Sequence, residues 1–133
     1  EEAYQQIEDT FNFYPVRMGY LPKGMEFVEF SIDEVALNAQ LIYTNQNGAI
    51  LYYTIKPNYR MSSMATDKEE FLIDEYQIVG KSTVINIEEY YEPKEKMTRW
   101  SADFSYLDTH YTLLIIGLEE AQMKEIVENL YFS

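Results

Sequence analysis

Hydrophobic and polar positions alternate with a period of two through most of the chain and with a helical period only at its two ends. At the start, EEAYQQIEDTFN puts Tyr4, Ile7 and Phe11 on one stripe, which predicts a helix over about 1–12. Its acidic first turn suits the helix dipole. Residues 13–25 hold two Pro and two Gly and read as a connector. A first, imperfect strand is expected over 26–32. In 36–44, Leu37, Ala39, Leu41 and Tyr43 alternate with Ala36, Asn38, Gln40 and Ile42, a strand that ends at the hairpin signal Asn45-Gln46-Asn47-Gly48. Residues 49–56 return as the next strand, and Pro57 stops it.

Residues 57–66 read as a loop, and Thr66-Asp67-Lys68-Glu69 has the form of a capping box, predicting a short helix over about 67–73. Strands follow at 75–79, 82–91, 96–106 and 110–116, with turns at Gly80-Lys81, Glu92-Pro93-Lys94-Glu95 and near Leu107-Asp108-Thr109. In 96–106, Thr98, Trp100, Ala102, Phe104 and Tyr106 face one way and Arg99, Ser101, Asp103 and Ser105 the other. Gly117 ends the last strand. Met123, Ile126, Val127, Leu130 and Tyr131 then mark a closing helix over about 118–131, with Glu119 and Glu120 at its positive end. The closing residues Glu128–Ser133 look like a protease-cleavage tag without its Gln, but Leu130 and Tyr131 hold the helical register, so they read as part of the domain. Hairpin-linked strands pair antiparallel. The expectation is one α+β domain, 1–133: a curved antiparallel sheet of about seven strands over about 26–116, with both helices packed on one face.

Several strands are apolar on both sides. Tyr52 and Tyr53 are adjacent and so point to opposite faces, as do Tyr90 and Tyr91, and Leu114 and Ile116 oppose Tyr111, Leu113 and Ile115. A sheet with one wet face would alternate more cleanly. Two helices of this length cover one face. The other is closed by curvature, by a partner domain or dimer mate, or by a ligand against an aromatic concavity. Tyr suits such a wall, with its apolar ring and polar tip. Tyr52, Tyr90, Trp100 and Tyr106 are the candidate ligand-binding residues, with the member of each Tyr pair that faces the site left open.

Composition narrows the chemistry. The 133 residues include 13 Tyr, 7 Phe and 1 Trp, but a single His and no Cys. Disulfides, thiolate metal sites and thiol nucleophiles are excluded, while the redox compartment stays open. Net charge is −13, with 8 acidic and 4 basic side chains in residues 1–66 and 15 and 6 in residues 67–133. A phosphate backbone or an anionic membrane surface would be repelled, so no nucleic-acid partner is expected. An acidic surface serves solubility, or a cationic partner or divalent cations. The longest apolar run, Leu113–Ile116, is too short to span a membrane. The chain starts Glu1-Glu2 without an initiator Met, so a processed or trimmed N-terminus that removed a signal or anchor is expected.

Catalytic signatures are sparse. His110 opens the last strand and reads as a structural or surface residue, with no Ser in a nucleophile motif. All five Gly sit at turns, and none forms a phosphate-cradling loop. The carboxylate pairs Glu69-Glu70, Asp74-Glu75, Glu88-Glu89 and Glu119-Glu120 show no metal-ligand spacing. Glu88 and Glu89 lie on opposite sides of a strand. Met61 and Met64 read as gap-filling loop residues. No cofactor, metal or enzymatic activity is expected.

Three stretches carry a family resemblance. Gly19-Tyr20-Leu21-Pro22-Lys23-Gly24-Met25 leads into the first strand as Y-L-P-x-G. The second runs from Gly80 to Arg99-Trp100. The third runs from Tyr111 to Met123, a strand followed by I-x-G-L-x-x-x-x-M. From about residue 18 to 131 the pattern resembles a bacterial family of unknown function, found mostly in Gram-positive species. The family's usual hydroxyl residue at the start of the last helix is Glu119 here. The resemblance implies an extracytoplasmic, cell-envelope-anchored domain behind a single N-terminal transmembrane helix, sometimes in anti-sigma-factor-like proteins. More distantly it resembles lipoprotein-carrier and periplasmic sigma-regulator folds. It transfers no catalytic residue. The expected role is non-enzymatic sensing or protein interaction, with a lipid or other amphipathic small molecule as the alternative ligand. Membrane contact is expected only through the removed anchor, and the oligomeric state is open.

Overall fold

A computed structural model describes residues 2–57, 71–80, 82–94 and 96–132. Helix α1 (Glu2–Phe11) precedes seven strands: β1 (Glu26–Asp33), β2 (Asn38–Thr44), β3 (Ile50–Pro57), β4 (Phe71–Val79), β5 (Val84–Glu92), β6 (Met97–Tyr106) and β7 (Thr109–Ile116). Helix α2 (Glu120–Glu128) follows. The strands form one sheet in the order β1-β2-β3-β7-β6-β5-β4, and every neighbouring pair is antiparallel. Two meanders, β1–β3 and β4–β7, thus meet where β3 pairs with β7. The architecture is the α+β sheet with terminal helices that the alternation predicts.

Turn chemistry sets the register. Asn45 Oδ1 accepts from the N–H groups of Asn47 and Ala49, and Gly48 has φ +87°, closing the β2–β3 hairpin. Leu107 and Asp108 both have positive φ (49° and 63°), the signature of a primed two-residue turn between β6 and β7. That turn places Ser105 opposite His110.

One face of the sheet is sealed. Ala39, Leu41, Tyr43, Leu51, Tyr53, Ile55, Ile85, Ile87, Trp100, Ala102, Phe104, Tyr111, Leu113 and Ile115 are buried there with Ile7 of α1 and Met123, Ile126 and Val127 of α2. Fully burying one such side chain stabilises the fold by about 1.5–3 kcal/mol. The Tyr content has a structural use here. The irregular connector crosses this face, and its buried backbone needs partners. Tyr53 OH donates to Val16 O, and Val16 N–H donates to Tyr111 OH at 3.2 Å. Met18 N–H donates to Tyr4 OH at 3.0 Å. Two buried tyrosines therefore clamp both polar groups of one connector residue, while their rings stack 6.0 Å apart. Gly19 is required because a Cβ there would lie 2.1 Å from Asn129 O, where the chain leaving α2 crosses the connector. Arg17 and Tyr131 bridge that crossing through paired backbone bonds of 3.0 and 2.8 Å.

Three expectations are corrected. The short helix over about 67–73 does not extend through its last residues, because β4 starts at Phe71. Thr66–Glu69, and Met61 and Met64, lie outside the described residues. The closing helix stops at Glu128 rather than 131: Leu130 is buried, but Tyr131 leaves the helical stripe for the Arg17 bridge. Phe132 then packs on Phe104 and Tyr106 at 5.8 and 5.0 Å. Leu37 stands in the β1–β2 turn with φ 55° and is exposed, so the β2 alternation starts at Asn38.

Candidate functional site

Both helices lie on the sealed face. Tyr4 of α1 reaches Tyr43 there, and Leu118, just before α2, accepts the Trp100 indole N–H at 3.3 Å. Among the described residues, the opposite face carries no helix. Its residues can be placed row by row from the register. Ile42, Tyr52 and Leu114 stand side by side across β2, β3 and β7, and Ile50 and Ile116 form the next row. All five are half-buried. They make a continuous apolar patch at the centre of this face, which also carries Leu72, Val79, Val84 and Tyr90 towards the β4 edge.

Around the patch the side chains are hydrogen-bonded to one another. Gln40 Nε2 donates to Thr54 Oγ1 at 3.2 Å. Asp103 Oδ1 accepts from Thr112 Oγ1 at 2.8 Å and lies 3.2 Å from His110 Nε2, while Ser101 Oγ donates to its second oxygen at 3.4 Å. Ser105 Oγ sits 3.2 Å from His110 Nδ1. Burial pushes the Asp103 carboxyl up, but the bonds from His110, Thr112 and Ser101 outweigh it, and its pKa falls below the usual value of 3.8. Towards the β4 edge, Glu75 pairs across the ladder with Glu88, which also accepts from Tyr90 OH. With Gln77, Asn86 and Asp103 these carboxylates line a recess of about 440 Å³. On the β1 side, Glu29 flanks Ile42. On the β6 side the direct neighbours of the patch are Ser101, beside Leu114, and Arg99, beside Ile116, with Asp103 one row along and Glu88 one strand further.

Ser105, His110 and Asp103 follow the order of a hydrolase relay. They stand on the ladder of one hairpin, beside a recess lined by Glu75 and Glu88. Acyl transfer needs donors aimed at a developing oxyanion, and carboxylates would repel it. What the network does achieve is mutual satisfaction of half-buried polar groups. The sequence alone reads His110 as a structural or surface residue; the hairpin register is the signal that links it to Ser105 and Asp103. Among the described residues, no group of three or more His, Asp or Glu side chains is arranged to hold a metal ion.

The four candidate aromatics divide between the faces. Tyr52 and Tyr90 lie on the helix-free face, half-buried. Trp100 is 4% exposed on the sealed face, and Tyr106 packs there against Phe132. Tyr52 and Tyr90 are three strands apart, about 14 Å at the usual strand spacing. The four form no common wall.

Residues 15–130 match the family model described as Domain of unknown function (DUF4367). The chain belongs to this family. Comparison with curated proteins and with solved structures gives no significant match. The matched span holds the whole sheet and α2, and thus the helix-free face, while α1 precedes it. Among the described residues, no helix is long and apolar enough to cross a membrane.

Proposed function

We propose that the chain is a non-enzymatic, extracytoplasmic sensing or protein-interaction domain of a membrane-anchored bacterial protein, and that it receives a protein partner on the helix-free face of its sheet. The observation that carries this reading is the patch of Ile42, Ile50, Tyr52, Leu114 and Ile116, half-buried on the face that neither helix covers. Apolar side chains rimmed by polar ones are the usual anatomy of a docking surface. The net charge of −13 favours a partner with basic residues around an apolar centre and speeds the encounter. The resemblance to anchored extracytoplasmic proteins supports the location. The carrier alternative, with Tyr52, Tyr90, Trp100 and Tyr106 around one ligand, gains no support from a geometry that puts them on two faces.

Affinity purification of the full-length protein from native membranes tests the reading. A partner that co-purifies with the wild type and is lost with Leu114→Glu, while the variant keeps its thermal midpoint, is the expected result. Retention of the same partner by Leu114→Glu contradicts it. Protease treatment of intact protoplasts tests the location: the domain is expected to be digested, and full protection contradicts an extracytoplasmic site.

A further inference from the structure

A second surface is distinct from the patch. On the sealed side of the sheet, α1 and the edge hairpin β1–β2 enclose a recess of about 340 Å³. Glu2, Ala3 and Tyr4 of α1 form one wall, and Phe27, Phe30, Leu41 and Tyr43 form the other. The strand wall depends on an irregularity. In a regular strand, residues 27 and 30 point to opposite faces. A bulge between Phe27 and Glu29 takes up Val28, so Phe27 lies opposite Tyr43 and Phe30 opposite Leu41, both on the α1 side. Bulges re-aim side chains in this way, and they are built features rather than defects. The phenyl ring of Phe27 stands edge-on to Tyr43 at 5.7 Å and 6.3 Å from Phe30, yet Phe27 remains 47% exposed. The strand thus spends a bulge to bring an aromatic ring to the mouth of a recess that the ring does not fill.

The lining has a definite chemistry. Tyr4 OH accepts from Met18 N–H and lies 3.4 Å from Tyr43 OH, so these hydroxyls are engaged within the fold and the recess presents mainly ring surface. Ala3 contributes the smallest side chain of the wall and leaves the space open. Among the described residues, Glu2 is the only charged one in the lining. The same region already shows the matching contact, because the Arg17 guanidinium lies 5.0 Å over the ring of Tyr4. A cavity of about 150 Å³ holds a benzene, so this recess has room for a body of one to two rings.

We propose that the recess binds a small hydrophobic cation: an amine or quaternary ammonium whose ring or short apolar body enters between α1 and β1–β2 while its charge stays at the mouth with Glu2 and the aromatic faces. Aromatic cages of this kind attract cations through the ring quadrupole, and the protein's net charge of −13 raises their local concentration. Fatty acids and other anions are disfavoured at Glu2. The site does not depend on the reading of the helix-free face, since it uses the other side of the sheet and a helix outside the family-matched residues.

The test titrates three probes of one shape, 2-naphthylmethylammonium, 2-naphthylmethanol and 2-naphthoate, followed by amide NMR shifts and calorimetry. Ligands of about a dozen heavy atoms in a fitted site reach Kd values near or below about 1 mM. The cation is expected to shift Tyr4, Phe27 and Tyr43 saturably and to bind about threefold or more tighter than the alcohol, with the naphthoate weakest. Glu2→Gln should remove the preference for the cation over the alcohol. Phe27→Ala should weaken every probe. Because that variant also loosens the hairpin, Ala3→Leu provides the second arm: Ala3 is 4% exposed, the larger side chain fills the recess, and it should block binding while a dispersed amide spectrum shows that the fold is kept. Absence of saturable shifts up to about 10 mM, binding that survives Ala3→Leu, or an alcohol that binds as tightly as the cation would each overturn the proposal.

Discussion

Leu113 and Leu114 are neighbours in β7 and meet opposite surroundings. Leu113 is sealed between sheet and helices, within the cluster that includes Tyr53, Phe104 and Tyr111. Leu114 is half-buried beside Tyr52 on the face without a helix. The same contrast separates Tyr53, whose hydroxyl holds the connector, from Tyr52, whose ring belongs to the patch. Among the described residues, one sheet therefore presents a face that the helices cover, apart from the recess at Phe27, and a face that they leave uncovered. The cost of exposing the second patch to water is tolerable only if it is small or if it is used.

The largest effect should separate the two leucines. Leu113→Ala is expected to lower stability by about 3 kcal/mol through lost burial and a cavity, whereas Leu114→Ala should cost about 1 kcal/mol or less; urea unfolding of both variants makes the comparison. Equal losses would mean that the second face is as sealed as the first. Next come the tyrosines. Tyr53→Phe leaves the buried Val16 carbonyl without its donor and should cost about 1–3 kcal/mol, against about 0.5 kcal/mol or less for Tyr52→Phe.

Acid sharpens the contrast differently, since the polar network lies on the open face. Hydrogen bonds hold the folded Asp103 pKa below the usual 3.8, despite burial. A lowered folded value stabilises the fold above the unfolded pKa, and that contribution is lost as pH falls through the folded one. Asp103→Asn should therefore be less stable than the wild type at pH 6, and the gap should close below the usual value of 3.8, read from unfolding curves across that range. A gap independent of pH would remove Asp103 ionisation from the account. Tyr52→Ala should cost about 1 kcal/mol or less, and it should be the variant that most weakens partner binding for its stability cost.

Strand periodicity made most of the sheet legible. Where alternation was clean, as in Met97–Tyr106 and Thr109–Ile116, both position and facing followed from sequence. The two strands that read poorly both carry bulges, at Phe27/Glu29 and at Leu72/Asp74. A bulge adds one residue and breaks the period of two on which the reading rests. In β4 the break left Phe71–Asp74 without a strand signal and let the upstream capping-box pattern suggest a helix. The facing of the site residues needed tertiary information. Adjacent Tyr52 and Tyr53 are equivalent to a pattern argument, and only the helices and the connector decide which is sealed. The early end of α2 has the same origin: Leu130 keeps an apolar position, but the crossing at Gly19 and Arg17 pulls the chain into a bridge.

The central claim is that the helix-free face is the recognition surface. A photo-crosslinking amino acid placed at Tyr52 in the full-length protein, in living cells, tests it most directly, with the same residue at Tyr14 as the control. Tyr14 is 75% exposed and lies in the connector, which crosses the sealed face. The account predicts one discrete higher-mass adduct from position 52, lost when Leu114→Glu is added, and no such adduct from position 14. No adduct at 52, or the same adduct from both positions, would contradict it.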